Sequence, residues 1–220
     1  MKKADIVDFF HRLAADDPHP VTELEYTSPY TLLVAVALSA QMTDVGVNKA
    51  TRGLFAEADT PRKMVAIGLD AIRHHVRTIN FNNTKAKNVL ALSEALIRDH
   101  DGEVPQDRAA LEALPGVGRK TANVVLNSAF GHETFAVDTH IFRVCNRTGL
   151  ARGKDPLAVE LKLDKSVPQP FRLHAHHWLI LHGRYTCKAR RPECWRCIVV
   201  DLCAFSPKSA APADKKAKET

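Results

Sequence analysis

The sequence lacks any apolar stretch long enough to cross a bilayer. Its longest candidate, from Leu32 to Ala40, has about half of the roughly 20 residues that a membrane-spanning helix requires. The start of the chain also has no apolar signal core, because Asp5 and Asp8 interrupt it. We therefore expect a cytoplasmic protein that has no membrane partner.

The sequence also lacks the alternation of apolar and polar residues that marks half-buried strands, a βαβ rhythm and any internal repeat. Apolar residues recur instead at helix spacing, as at Ile6, Phe10 and Leu13. Residues 30–40 are apolar nearly all round, which predicts a buried central helix. The chain is therefore expected to be all-α. Further helices are predicted after Ser28-Pro29 and Thr60-Pro61, and over residues 69–79, 84–100, 119–130, 138–148 and 172–185.

The charge balance is basic, with a net charge of +6 over 220 residues and 45% apolar residues. Such a chain can bury a core, and its charge suits either a polyanionic partner or an ordinary solvated surface. Residues 206–220 combine proline, alanine and lysine without an apolar stripe, which predicts a disordered basic tail. The tail lysines could contact phosphates of a nucleic acid, but a tail that only keeps the protein soluble is the favoured interpretation.

Four of the five cysteines crowd between residues 187 and 203. In a cytoplasmic protein such a cluster favours metal binding over disulfides. Zinc sites more often use two close cysteine pairs, and only Cys194 and Cys197 are paired so closely, which favours an iron–sulfur cluster without excluding zinc. The fifth, Cys145, is interpreted as a small buried apolar residue. Three histidines (His174, His176 and His177) resemble a ligand cluster, but surface or half-buried side chains are expected there.

Residues 107–130 predict a hairpin between two helices. A short helix ends near Leu114, the sequence Pro-Gly-Val-Gly follows at 115–118, and a second helix begins near Arg119. Gly116 and Gly118 permit positive φ and close approach of a ligand to the backbone. The following helix start offers free N–H groups and the positive end of a dipole. The segment therefore suits a DNA phosphate bound without regard to sequence, or an ordinary tight turn.

Two residues, one in the first turn after this hairpin and one 18 positions later, are candidates for a covalent mechanism. Lys120 lies in the first turn after the hairpin, where the helix N-terminus and Arg119 favour the neutral amine. A neutral amine can attack a sugar carbon and form a Schiff base, although a phosphate-binding lysine is the commoner use of this position. Asp138 opens a later helix, and its spacing alone favours a plain N-cap. A capping carboxylate can also face a cleft, so a chemical role is compatible with capping.

Three motifs in this order resemble the bacterial endonuclease III family of helix-hairpin-helix glycosylases. They are LPGVGRKTANVVL at 114–126, VDTHIFRV at 137–144, and Cys187-x6-Cys194-x2-Cys197-x5-Cys203. The similarity runs from about residue 4 to residue 205, and includes LSAQMTD at 38–44 and HHWLILHGRYTC at 176–187. It implies a bifunctional DNA glycosylase and lyase of base excision repair.

The resemblance also implies the architecture. It predicts two helical lobes with a DNA-binding cleft between them, and a monomer associated with the nucleoid. A helical barrel domain with the hairpin would span residues 22–132. An iron–sulfur domain would combine residues 1–21 and 133–205 and hold a [4Fe–4S] cluster on Cys187, Cys194, Cys197 and Cys203.

The implied mechanism flips the damaged base out of the duplex. Lys120 attacks C1′ and displaces an oxidised pyrimidine, Asp138 assists, and β-elimination from the Schiff base breaks the strand 3′ to the abasic site.

The resemblance also implies which residues contact the DNA. Gln41 fills the space that the flipped base leaves. Phe81 wedges against the opposite strand, where the family pattern has leucine followed by tyrosine, and packing of Phe81 in the core is the alternative. The remaining expected DNA contacts are Gly116, Val117, Gly118, Arg119, Lys188, Arg190 and Arg191.

Two other functions remain to be weighed against this one. Monofunctional adenine- or thymine-mismatch glycosylases share the hairpin and the aspartate, but usually lack a lysine at position 120. A non-catalytic DNA-binding module would need neither Lys120 nor Asp138. The presence of both residues favours the bifunctional enzyme.

Overall fold

The computed structural model describes residues 1–212, and over that range the protein is built from helices without strands. This confirms the predicted all-α class. The helices are α1 (Lys3–Asp16), α2 (Pro29–Leu38), α3 (Asp44–Glu57), α4 (Pro61–His75), α5 (Asn82–His100), α6 (Arg108–Glu112), α7 (Arg119–Phe130), α8 (Thr139–Thr148), α9 (Pro156–Ser166) and α10 (Arg172–Tyr185), with short 3-10 helices at Gln169–Phe171 and Cys194–Arg196.

Capping residues set the ends of several helices. The hydroxyls of Ser28 and Thr60 accept hydrogen bonds from N–H groups in the first turns of α2 and α4, and each is followed by proline. Gly131 and Gly149 end α7 and α8 with φ of 71° and 80°, a left-handed conformation that costs glycine little. These boundaries are therefore readable from local sequence.

Two helices, α3 and α9, are absent from the sequence prediction. Buried positions in α3 include the polar Asn48 and Thr51, so the apolar stripe is broken. In α9 the exposed Leu157 and Leu161 obscure the stripe instead. The α4 helix is also interrupted at Gly68, where φ is 76° and ψ is 174°. Periodicity alone fails where tertiary packing buries polar groups or exposes apolar ones.

The chain divides into two compact units, of which one is Val21–Ala136. This unit contains one continuous apolar core, with α2 at its centre and eight of that helix's ten residues buried. Both α5 and α7 pack against α2. Fully burying a leucine such as Leu33 contributes about 1.5–3 kcal/mol, so burial of apolar side chains is a main source of stability in this unit.

The other unit combines Met1–Pro20 with the described residues from Val137 onward. Phe10 stacks on Phe171 at 5.7 Å between ring centroids and also contacts Trp178. The indole N–H of Trp178 donates to the carbonyl of Asp17 at 2.7 Å, which fastens the end of α1. Aromatic packing therefore attaches the N-terminal helix to the rest of its unit, which begins at Val137, more than 120 positions after the end of α1.

None of the helices in residues 1–212 is long and apolar enough to span a membrane. The predicted basic tail is described only as far as residue 212. Lys215, Lys216 and Lys218 lie outside the described residues.

Candidate functional site

The predicted hairpin lies between α6 and α7, at residues 113–118. Gly116 has a φ of 77°, and a Cβ added there would come within 2.8 Å of the Asn88 side chain, so only glycine fits. Gly118 precedes α7 without a side-chain cap, and a Cβ added at Gly118 would meet nothing within 4 Å. The first turn of α7 therefore presents its N–H groups beside open space, as an anion site requires.

Lys120 is exposed in that first turn, and it makes no hydrogen bond or ion pair with any residue in the range 1–212. Its neighbour Arg119 is half-buried, with a guanidinium nitrogen 4.0 Å from Glu112 Oε1. The Val117 side chain is only 6% exposed and belongs to the core, so this residue can offer a ligand only its backbone. An accessible amine thus follows directly on a backbone anion site.

Asp138 is the half-buried N-cap of α8. Its Oδ1 accepts hydrogen bonds from the N–H groups of His140 at 2.9 Å and Ile141 at 2.8 Å. Its Oδ2 has no hydrogen bond from the part of the chain that the structure describes. One oxygen therefore orients the carboxylate, and the second can serve as a base, so capping and chemistry are compatible in this residue.

Gln41 and Phe81 are exposed in two loops that contact each other. Gln41 has a φ of 58° and Phe81 a φ of 59°, a region that bulky side chains rarely adopt. Asn80 Nδ2 donates to the carbonyl of Gln41 at 2.9 Å, which links the two loops. Phe81 is 65% exposed, so it is not a core residue. The structure thus brings these two side chains to one surface of the Val21–Ala136 unit.

The four clustered cysteines line a single cavity together with His182, Phe205 and Lys208. Burial raises the pKa of the Cys197 thiol, and the charges of the other three thiolates raise it further. The four sulfurs lie near one another because all four cysteines line this cavity. No three His, Cys, Asp or Glu side chains among residues 1–212 are arranged to hold one metal ion. Four thiolates around a shared cavity fit a cysteine-ligated iron–sulfur cluster.

Hydrogen-bond donors surround these sulfurs. The N–H of Phe205 donates to Cys203 Sγ at 3.4 Å, and an Arg147 guanidinium N–H donates to Cys187 Sγ at 3.7 Å. Although burial alone raises the pKa of the Cys194 thiol, hydrogen bonds from Ser209 lower it overall. The donors favour thiolates, which are the form that binds iron.

Arg147 is a residue that sequence reasoning missed. Besides Cys187 Sγ, its guanidinium donates to the carbonyls of Lys188 and Ala189 at 2.7 Å and lies 4.8 Å over the ring of Phe205. It stands one turn after Arg143, which donates to the carbonyl of Cys187 at 2.9 Å. Two arginines spaced by four residues on one face of α8 are the signal that could have indicated this support.

The three basic residues predicted to meet DNA in the cysteine loop differ in their partners. Lys188 Nζ is paired with Glu193 Oε1 at 2.6 Å. Arg190 and Arg191 are exposed and make no hydrogen bond or ion pair with the described residues. These two arginines are therefore better placed than Lys188 to receive a phosphate.

The histidine cluster differs from expectation. His176 and His177 are 1% and 9% exposed, so they are buried, whereas surface or half-buried positions were predicted. Burial lowers the pKa of His177 to about 4, so it is neutral at pH 7. Both histidines lie in a stretch of α10 in which Ala175, Trp178 and Leu179 are buried as well. The spacing of the histidines in the sequence does not reveal this burial. Cys145 is fully buried, as predicted.

The beginning of the predicted tail is attached to the cysteine loop. Lys208 Nζ donates to the carbonyl of Cys203 at 2.7 Å, the hydroxyl of Ser209 donates to the carbonyl of Pro192, and the N–H of Cys194 donates to the Ser209 hydroxyl at 3.2 Å. These bonds join Lys208 and Ser209 to residues that line the cysteine cavity.

Two family models match the chain. The model of the HhH-GPD superfamily base excision DNA repair protein matches residues 34–169, which include the hairpin, Lys120 and Asp138. The model of the iron-sulfur binding domain of endonuclease III matches residues 187–203, which are bounded by the first and last clustered cysteines. The two matches lie on the two sets of residues that the geometry singles out.

Known proteins match over nearly the whole chain. Endonuclease III of Haemophilus influenzae is 58% identical over 94% of this chain and 99% of its own length. Endonuclease III of Escherichia coli K12 is 57% identical over the same shares. A solved structure of a trapped covalent intermediate between endonuclease III and DNA matches with a TM-score of 0.86 and 43% identity. This match covers 92% of this chain and 96% of the other.

Proposed function

The chain belongs to the endonuclease III family within the HhH-GPD superfamily of base excision DNA repair proteins, and from this membership we propose that Lys120 is its nucleophile. The protein is a bifunctional DNA glycosylase and abasic-site lyase, as the resemblance predicted. Mismatch-specific and non-catalytic alternatives are not favoured. Its substrates are double-stranded DNA with oxidised pyrimidines and abasic DNA, and it acts in the cytoplasm at the nucleoid.

The observation that carries this proposal is the accessibility of Lys120. Its amine is exposed and has no ion-pair partner among residues 1–212, directly after a hairpin suited to DNA phosphate. The hairpin and the N-terminus of α7 hold the backbone of the DNA, so the amine reaches C1′ of a nucleotide flipped out of the stack. Attack at C1′ forms a bond from Nζ to carbon as the bond from carbon to the base breaks.

Asp138 supplies the acid–base step. Through Oδ2 it takes the proton that Lys120 loses, directly or through a water molecule, while Oδ1 stays on the N-terminus of α8. Its charge also stabilises the positive charge that develops on the sugar. The sugar ring then opens: the bond from C1′ to O4′ breaks, O4′ takes a proton, and the adduct becomes a Schiff base. The Schiff base acidifies C2′, and loss of a C2′ proton expels the 3′ phosphate by β-elimination.

Gln41 and Phe81 enter the duplex, because an extruded nucleotide leaves a gap that side chains can fill. Phosphates are held by the backbone at Gly116, Val117 and Gly118, by Arg119, and by the cysteine loop through Lys188, Arg190 and Arg191. The Val21–Ala136 unit is proposed as the hairpin domain. The unit from Met1–Pro20 and Val137 onward is proposed as the iron–sulfur domain.

The protein carries a [4Fe–4S] cluster. Cys187, Cys194, Cys197 and Cys203 would hold it, since all four line one cavity. When bound, the cluster supplies four crosslinks to a loop that has little apolar core of its own. The loop in turn presents Arg190 and Arg191 on its exposed side.

Replacing Lys120 by glutamine tests the proposal most simply. Lys120→Gln removes the one amine that forms the covalent bond and leaves the phosphate contacts in place. We expect base release and abasic-site nicking to fall to background, while the affinity for a lesion duplex stays within about threefold of the wild type. Lys87→Gln, at an exposed lysine on α5, is the matched control for lost charge. Residual nicking near the wild-type rate would refute the assignment.

Replacing Asp138 by asparagine separates its two roles. Asparagine caps helices as well as aspartate does, so Asp138→Asn keeps α8 and the melting temperature. The missing base should slow base release roughly a hundred- to ten-thousandfold in single-turnover assays. An unchanged rate in a normally stable variant would leave Asp138 as a cap alone.

A further inference from the structure

A buried lysine caps the end of the central helix. Lys85, in the first turn of α5, is 9% exposed. Its Nζ donates to the carbonyls of Leu38 at 2.9 Å and Ala40 at 2.6 Å. These carbonyls stand at the C-terminus of α2, where carbonyl groups lack helical partners and the dipole is negative. The ammonium therefore satisfies the helix end and is not available to a phosphate.

The neighbouring asparagine adds two further bonds between the same segments. Asn80 Nδ2 donates to the carbonyl of Gln41 at 2.9 Å, and the Asn80 N–H donates to Met42 Sδ at 3.3 Å. The carbonyls of Leu38, Ala40 and Gln41 are thus all held by residues of the 80–85 segment. We name the 38–42 and 80–85 segments, joined in this way, the loop bracket.

The bracket offsets a local conformational cost. Gln41 and Phe81 both have left-handed φ values, and both side chains are exposed. Non-glycine residues keep such a conformation only where the surrounding structure over-determines it. In this protein the surrounding structure is the set of bonds from Lys85 and Asn80, because neither exposed side chain is held by core packing.

We propose that Lys85 is a positioning residue which, with Asn80, fixes Gln41 and Phe81 as one rigid element that enters the duplex together. The inference rests on the proposed role of Gln41 and Phe81. Base extrusion costs free energy, and side chains ordered in advance fill the gap without a further loss of conformational entropy. Two loops held separately would have to order at the moment of extrusion.

The test uses Lys85→Met, which keeps the length of the side chain and removes its donors. Because loss of a buried ammonium can weaken folding, Asn80→Ala at an exposed position provides a second variant. Lys87→Met, two residues further along α5 and exposed, is the matched control. Each full-length protein is assayed on a duplex with one oxidised pyrimidine, on a duplex with a ready-made abasic site, and on an undamaged duplex.

We expect Lys85→Met and Asn80→Ala to slow single-turnover base release about ten- to hundredfold. Nicking of the abasic duplex should fall less, because no base has to be unstacked there. Fluorescence of a 2-aminopurine beside the lesion should report slower extrusion, while binding to the undamaged duplex and the Lys87→Met control stay unchanged. Equal losses on the lesion and abasic duplexes, or no loss at all, would overturn the proposal.

Gln41→Ala and Phe81→Ala, tested on the same duplexes, separate this inference from the role on which it rests. If neither variant slows base release, the entry of these side chains into the duplex is wrong and the bracket has no function. If both slow base release but Lys85→Met and Asn80→Ala do not, the side chains enter the duplex and the bracket proposal alone fails.

Discussion

Different interactions stabilise the interior of each of the two compact units. The Val21–Ala136 unit surrounds α2 with one apolar core. The unit that contains the cysteines has an aromatic cluster around Phe10 and Trp178, but its 187–209 segment is held mainly by hydrogen bonds from Arg147, Ser209 and the backbone. We infer that the first unit is stable through burial of apolar side chains, whereas the cysteine loop depends on the iron–sulfur cluster that crosslinks it.

Among the substitutions that test this difference between the units, loss of one cysteine ligand should have the largest effect. Cys203→Ser is expected to lower bound iron and soluble yield, and to expose residues 187–209 to protease, because little apolar surface holds that segment. Fragments that contain Val21–Ala136 should persist. Iron content, absorbance and limited proteolysis measure these outcomes, and a variant with full iron would contradict the proposed ligand set.

A substitution that leaves a cavity in the apolar core should lower stability without lowering iron content, the opposite of what is expected for loss of a cysteine ligand. Leu33 is fully buried in α2, so Leu33→Ala is expected to lower the free energy of unfolding by about 2–5 kcal/mol. Iron content per folded molecule should stay the same as in the wild type. Denaturant titration followed by far-ultraviolet circular dichroism gives the first quantity, and metal analysis gives the second. Loss of iron together with helix content would show that the two units do not differ in this way.

Removing the two unpaired arginines of the cysteine loop should have the smallest effect. Arg190→Gln with Arg191→Gln is expected to reduce the slope of log affinity against log salt by about 2, since each phosphate contact contributes about 0.9. Arg98→Gln is the control, because Arg98 is an exposed arginine already paired with Asp99. An unchanged slope in the double variant would remove this loop from the DNA contact surface.

The sequence predicted what depends on local chemistry. Helix starts at Ser28 and Thr60, the hairpin glycines and the cysteine spacing follow from neighbouring residues, and the structure agrees with the helix starts. The motifs gave the family, which the matches along the chain confirm. The roles of Lys120 and Asp138 came with that family and stay predictions.

What the sequence did not reveal depends on tertiary contacts. Lys85 lies one turn before Val89 on the buried face of α5. A lysine at such a position in a sequence is usually interpreted as exposed to solvent. The role of Arg147 is likewise visible only in the structure, where its guanidinium contacts Cys187, 40 residues away in sequence. Burial of His176 is another such case. Side chains whose partners are far away in sequence cannot be assigned from spacing.

The central claim is that the amine of Lys120 forms the covalent bond to DNA, and chemical trapping measures this directly. Wild-type protein is incubated with an abasic duplex and borohydride, which reduces a Schiff base to a stable amine. The adduct is then digested and mapped by mass spectrometry. The account predicts one crosslinked peptide, modified at Lys120, and no adduct in Lys120→Gln. A crosslink at any other residue, or undiminished trapping in the variant, would contradict it.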